Sequence, residues 1–144
     1  MRFLAIDLGD KRTGLAHGDD ESGLVSPGRQ IEKPINPGAE LLDAIANAID
    51  DYGPDALVVG LPLNMDGTEG PRAKLVRAFA ARISERTNLP IHFQDERLTT
   101  ASADWTMARS GMTRKQKKAR RDALAAAAIL RDFLDQRSSM DEEE

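Results

Sequence analysis

The sequence predicts an α/β fold, a mixed five-stranded sheet flanked by helices. Residues 3–31 alternate short apolar runs with polar, glycine-bearing turns, the pattern of an antiparallel meander. Two later apolar runs, 56–59 and 89–93, each follow a segment of helical periodicity, as parallel strands joined by crossovers do. A length of 144 residues with 40% hydrophobic content is the size of one ordinary domain with its own core.

Residues 3–6 are a short buried strand that ends at Asp7, and Gly9 and Asp10 turn the chain so that 13–17 return antiparallel. A second polar turn, 19–23, leads to a weaker third strand, begun at 24–26, interrupted at Pro27-Gly28 and resumed at 29–31. Asn36-Pro37 reads as an N-cap followed by proline at the first helical position, with Leu41, Leu42, Ile45, Ala46 and Ile49 on one face and a stop at Gly53-Pro54. The run 56–59 is a strand buried on both faces. After the glycine-bounded loop 60–70, Pro71 opens a second helix with an inner stripe of Leu75, Val76, Phe79, Ala80 and Ile83. A last strand covers 89–93. Thr99 or Thr100 caps a short helix carrying Trp105 and Met107. Thr113 and Gln116 form a capping box for a final helix running to about Asp135. Residues 1–137 are thus expected to form a single domain, and 138–144 a disordered acidic tail.

Composition excludes several classes of function. No cysteine means no disulfide, no thiolate nucleophile and no cysteine zinc site, and two histidines make a histidine metal site an unfavoured reading. No apolar run approaches the ~20 residues of a membrane helix, and the N-terminus meets an acid too early for a secretory signal. The expected location is cytoplasmic. The formal net charge of −4 hides an asymmetry: residues 1–70 carry 5 Lys and Arg against 13 Asp and Glu, residues 71–140 carry 15 against 7. A basic face for a polyanion is therefore compatible with an acidic chain.

Three acids stand where a structural role is costly. Asp7 closes an apolar strand, and in open α/β sheets ligands gather outside such strand ends. Its alternative role is a turn cap or an ion pair with Lys11 or Arg12. Asp95 and Glu96 follow the last strand on opposite faces, so only one of them shares a site with Asp7. Asp122 lies in helical register with Ala125, Ala126, Ile129 and Phe133, hence on a packing face, where an acid needs a partner or a metal. Converging carboxylates suit a hard cation, Mg²⁺ or Mn²⁺, which in pairs can hold a phosphodiester, generate hydroxide and stabilise the leaving oxygen. Beside Asp122 lies the densest basic segment, with Arg114, Lys115, Lys117, Lys118, Arg120 and Arg121 within eight residues. Such a segment favours a polyanion. Only six aromatic residues occur, so recognition of phosphate and shape fits better than a row of stacking platforms. The loop 61–70, rich in backbone donors before a helix N-terminus, is either a phosphate-receiving element or simply a turn at Asp66-Gly67. His17 and His92 read as structural.

These blocks resemble those of YqgF-type proteins: Asp7-Leu8-Gly9-Asp10-Lys11-Arg12-Thr13-Gly14, Val59-Gly60-Leu61-Pro62-Leu63-Asn64-Met65-Asp66-Gly67-Thr68, Asp95-Glu96-Arg97-Leu98-Thr99-Thr100 and Asp122-Ala123-Leu124-Ala125-Ala126. The resemblance spans roughly residues 2–135 and implies an RNase H-like fold. It further implies a metal-dependent nuclease acting at the 5′ end of precursor 16S rRNA and akin to Holliday-junction resolvases. By position it assigns Asp7, Glu96 and Asp122 as catalytic, metal-holding acids, deciding between Asp95 and Glu96. Lys11, Arg12, Arg97 and the basic segment 114–121 are then the expected nucleic-acid contacts. Precursor rRNA is the favoured partner and branched DNA the alternative. The small ribosomal subunit is the expected setting, and the oligomeric state is monomer or homodimer. A non-catalytic RNA- or ribosome-binding module and a nucleotide-phosphate binder of the actin-like kinase kind are the rival readings; retention of all three acids speaks against the first, and room for one domain against the second.

Overall fold

The computed structural model describes residues 1–98 and 120–142. Its strands are β1 (Arg2–Leu8), β2 (Thr13–Asp19), β3 (Val25–Ile31), β4 (Ala56–Leu61) and β5 (Ile91–Asp95). The helices are α1 (Ala39–Tyr52), α2 (Pro71–Thr87) and α3 (Arg121–Glu142), and a 3-10 turn (Glu96–Leu98) follows β5. The sheet order is β3-β2-β1-β4-β5, antiparallel among β1, β2 and β3 and parallel from β1 through β4 to β5. The expected α/β fold with a mixed five-stranded sheet is what forms.

Two apolar layers sandwich the sheet. Strand alternation sends Leu4, Ile6, Leu57 and Val59 toward α1 and α2, where Leu41, Ile45, Phe79 and Ile83 complete the main core. Phe3, Ala5, Ala16, Ala56 and Val58 face the other way and pack against Ala126, Ala127, Ile129 and Leu130 of α3. Leu75, expected on the inner stripe of α2, is 40% exposed; Ala73 is buried in its place, so the true stripe runs Ala73, Val76, Phe79 or Ala80, Ile83.

Other differences lie at the ends of elements. β1 continues past Asp7 to Leu8, because Leu8 still pairs with Thr13 across the ladder. β3 is unbroken: Pro27 pairs with Ala16 on an edge strand, where a missing N–H is tolerated, and a register shift between Gly14 and Ala16 absorbs the irregularity. Helix α1 opens at Ala39 rather than Pro37, since Gly38, at φ 89°, is outside the helical region while its carbonyl accepts the first helical bond, from the Leu42 N–H. Gly53 closes it as expected. β5 runs over 91–95 instead of 89–93, in register with β4 from Leu57↔Ile91 to Leu61↔Asp95. α3 extends to Glu142, beyond Asp135 and through part of the stretch assigned to an acidic tail; no glycine or proline follows Asp135 to break it. The short helix expected around Trp105 and the start of the capping box at Thr113 lie outside the described residues. No helix among the described residues is long and apolar enough to cross a membrane.

Candidate active site

Asp7 belongs to the face of β1 that looks toward α3, with Phe3 and Ala5. On β5 the same face carries His92, which meets Phe3 and Phe133, so two-residue alternation continues it to Gln94 and then Glu96. Asp95 falls on the opposite side. The topology therefore separates the two acids as alternation requires and gives Glu96, not Asp95, to Asp7. The carboxyl groups of Asp7 and Glu96 hydrogen-bond to each other.

Two glycines make this meeting possible. Gly14 is the ladder partner of Asp7 on β2. A Cβ at Gly14 would collide with the backbone carbonyl of Asp122 and lie 2.8 Å from the Ala123 nitrogen, so the first turn of α3 rests directly on the strand there. Gln30 of β3 holds the same turn by accepting a hydrogen bond from the Ala123 N–H at 3.1 Å. On the other flank, Gly60 of β4 faces the same way, and a Cβ there would collide with Oε1 of Glu96 and sit 2.6 Å from Cδ1 of Ile129. Gly14 thus admits the backbone of Asp122 and Gly60 admits the side chain of Glu96, with Asp7 between them. The sequence reading passed over both glycines; the signal available was a glycine inside an otherwise strand-like run, which marks close approach of another group.

Burial pushes Glu96 up to about 8, and the hydrogen bond and charge of Asp7 push in the same direction. Asp7 is also raised, first by burial and then by the negative charge of Asp122, although its bond from Glu96 acts the other way. Both shifts favour a single proton held between the two carboxyls, with Glu96 as its donor. Asp122 adds its like charge from the start of α3. Of the expected stripe, Ala126 and Ile129 are buried and Phe133 packs against the same layer, while Asp122 and Ala125 lie half-buried at its margin; Ala123, Ala127, Leu130 and Leu134 are buried beside it.

Among the described residues Arg72 is the cation whose charge acts on both acids. Its guanidinium donates to Asp10 Oδ1 at 2.5 Å and to the Leu8 carbonyl at 3.1 Å, and its charge lowers the proton affinity of both Asp7 and Glu96. Neither Lys11 nor Arg12 partners Asp7 in place of Glu96; both are exposed on the β1–β2 turn. Arg120 and Arg121 are exposed at the start of α3. Arg114, Lys115, Lys117 and Lys118 lie outside the described residues. Arg97, expected to contact nucleic acid, is here bonded within the protein. Its Nε donates to both carboxylate oxygens of Asp95, at 3.1 and 2.9 Å, its Nη2 to Oδ2 at 2.7 Å, and its Nη1 to the Met65 carbonyl at 3.2 Å. His17 stacks on Tyr52 and His92 sits between Phe3 and Phe133. Among the described residues no three acids or histidines are already arranged around a common ion position. What the geometry brings together is a carboxyl pair, with a third acid in electrostatic range.

A mixed sheet of this order, with a helix laid across one face and Asp122 in its first turn, is an RNase H-like architecture. Over 96% of both chains it is similar to the RuvC of T. thermophilus solved in complex with a Holliday junction substrate, at a TM-score of 0.66 and 14% identity. The fowlpox virus resolvase, solved with substrate Holliday junction DNA, aligns over 94% of this chain and 98% of its own at 0.60 and 14%. The family model described as "RuvX: Holliday junction resolvase" matches residues 1–136, and the chain belongs to that family. A relative from Anaeromyxobacter dehalogenans, named "Putative pre-16S rRNA nuclease", is 42% identical over 96% of this chain and 99% of its own.

Proposed function

We propose that this protein is a metal-dependent nuclease that hydrolyses phosphodiester bonds in the 5′ region of precursor 16S rRNA, acting in the cytoplasm as a single domain over residues 1–137. The observation that carries the reading is the Asp7–Glu96 carboxyl pair with Asp122 beside it. Two carboxyls held together in half-buried surroundings resist ionising together, and a divalent cation relieves that repulsion better than one proton does. An all-oxygen donor set fits Mg²⁺ or Mn²⁺. Asp7, Glu96 and Asp122 would hold the metal, which when bound supplies an activated water and charge stabilisation of the leaving oxygen.

The chain's own groups do the rest. Gly14 and Gly60 fix the acids relative to one another. Arg72 holds the end of β1 through Leu8 and Asp10. Lys11, Arg12, Arg120 and Arg121, with the basic residues 114–118, offer cations to the phosphates on either side of the acids. The name carried by the relatives at about 42% identity supports RNA as substrate. A second reading, cleavage of a four-way DNA junction, is favoured by the likeness in fold to resolvases solved with such DNA.

The test is cleavage of a 5′-extended precursor 16S rRNA fragment and of a four-way junction, with Mg²⁺ or Mn²⁺ and with chelator, wild type beside Asp7→Asn. Metal-dependent cutting of the RNA by wild type alone is expected. Preferential cutting of the junction would favour the second reading, and binding of RNA without cutting of either would leave a non-catalytic RNA- or ribosome-binding module.

A further inference from the structure

The loop between β4 and α2 is more ordered than a turn requires. The Asn64 N–H donates to the Thr68 carbonyl at 2.9 Å, and the Gly67 N–H donates to the Asn64 carbonyl at 2.8 Å. Asn64 Nδ2 reaches the Thr68 hydroxyl at 3.0 Å, and Asp66 Oδ1 accepts from both the amide and the hydroxyl of Thr68. The loop is also tied from outside: Arg97 donates to the Met65 carbonyl while Asp95 grips the other side of the same guanidinium. Gly67, at φ 87°, supplies the left-handed backbone that this turn needs.

Position gives this order a meaning. β4 lies between β1 and β5, so a loop leaving Leu61 emerges between Asp7 and Glu96, and Arg97 is the residue next to Glu96. At the tip the Met65 side chain is 90% exposed although its own carbonyl is bound. A lone exposed apolar side chain is ordinary on a protein surface. One held on a braced loop at the mouth of an acid site is placed to meet something. Apolar side chains, methionine among them, enter between bases of a distorted nucleic acid, and a base offers the π-face that such a side chain covers.

Resting on the nuclease reading above, we propose that Arg97 is a positioning residue rather than a phosphate ligand: with Asp95 it fixes the loop 61–70 beside Glu96, and the loop presents Met65 to an unstacked base of the bound strand. The substrate class this implies is nucleic acid with an unpaired or weakly stacked base next to the cleaved bond. The planar fork is what joins Asp95 to Met65, and lysine, a point charge, cannot make both contacts.

The experiment uses the full chain and the precursor 16S rRNA fragment. Binding is followed by anisotropy in chelator across a salt series, and cleavage with Mn²⁺ is resolved into kcat and KM. Arg97→Lys and Arg97→Gln are expected to lose kcat alike, by tenfold or more, with the salt slope of binding unchanged, and Asp95→Asn to behave as they do. Met65→Ala, at an exposed position that leaves the fold intact, is expected to weaken RNA binding about fivefold, the loss of one buried apolar contact. Near-wild-type activity in Arg97→Lys with a slope reduced by about 0.7 in Arg97→Gln would make Arg97 a phosphate contact and overturn the proposal. Unchanged affinity in Met65→Ala would overturn it too. Absence of cleavage by wild type would sink the nuclease reading alone, because affinity and salt slope still decide the role of the loop.

Discussion

The two faces of the sheet are built from different residues. Toward α1 and α2 the strands present Leu4, Ile6, Leu15, Leu57 and Val59, and the helices answer with Leu41, Ile45, Phe79 and Ile83. Toward α3 they present Phe3 and Val58 but otherwise Ala5, Ala16, Ala56, Gly14 and Gly60, and the helix answers with Ile129 and Leu130 beside Ala123, Ala126 and Ala127. Large side chains bury more apolar area per residue, so the first face holds most of the hydrophobic stabilisation. Small ones let a helix come down until backbone meets backbone, as the Asp122 carbonyl does at Gly14. The second face gives up packing volume where α3 and Glu96 come closest. On the proposed reading, stability and chemistry are divided between opposite sides of one sheet.

Asp7→Asn should break the comparison most sharply from the site side. Cleavage is expected to fall by roughly a hundredfold or more. Affinity for RNA in chelator should hold or rise, since one repulsive carboxylate is gone, and the melting temperature should not fall. A folded Asp7→Asn protein with full activity would remove Asp7 from the site.

From the other face, Leu57→Ala should cost ~2–5 kcal/mol of stability in a denaturant titration. The molecules that remain folded should keep kcat/KM near wild type. Loss of activity out of proportion to loss of fold would show that the two faces are not independent.

The acid pair makes stability pH-dependent in a defined direction. Glu96 in the folded chain is raised to about 8 from 4.5. Between these values the folded state binds more protons than the unfolded, so metal-free stability is expected to decline as pH rises from ~4.5 to ~8. Glu96→Gln should flatten that decline and be more stable than wild type at pH 8. Thermal melts at several pH values, chelator present, measure both; a wild-type protein most stable at pH 8 would contradict the shared proton.

Gly14→Ala tests the close approach itself. The added methyl meets backbone rather than a movable side chain, so the first turn of α3 must shift, at ~1–3 kcal/mol. Activity should fall more than Leu57→Ala lowers it, although Gly14→Ala removes nothing from the core. The smallest effect is expected at the rim: Lys11→Gln with Arg12→Gln should leave stability unchanged and reduce the salt slope of RNA binding by about 1.4, near 0.7 for each phosphate contact on a single strand. An unchanged slope would make both residues simple turn cations.

The sequence by itself determined the elements and their order, because strand alternation and helical periodicity are written in neighbouring residues. It also marked Asp7, Asp95, Glu96 and Asp122 as acids at odds with their apolar surroundings. It was less exact where local signals compete: Gly38 displaced the start of α1, and Leu75 turned outward although its periodicity also fitted the inner stripe. Tertiary structure decided which acids meet. Alternation along β5 separated Asp95 from Glu96, but only the sheet order and the placement of α3 chose the face on which Asp7 waits. It also gave Arg97 partners that its place in the sequence does not show, Asp95 and the carbonyl of Met65. The physical reason is common to these cases. Periodicity is a property of consecutive residues, whereas a shared proton, a glycine under a helix and a bridged loop depend on groups far apart in the chain that only the packed sheet brings within bonding distance.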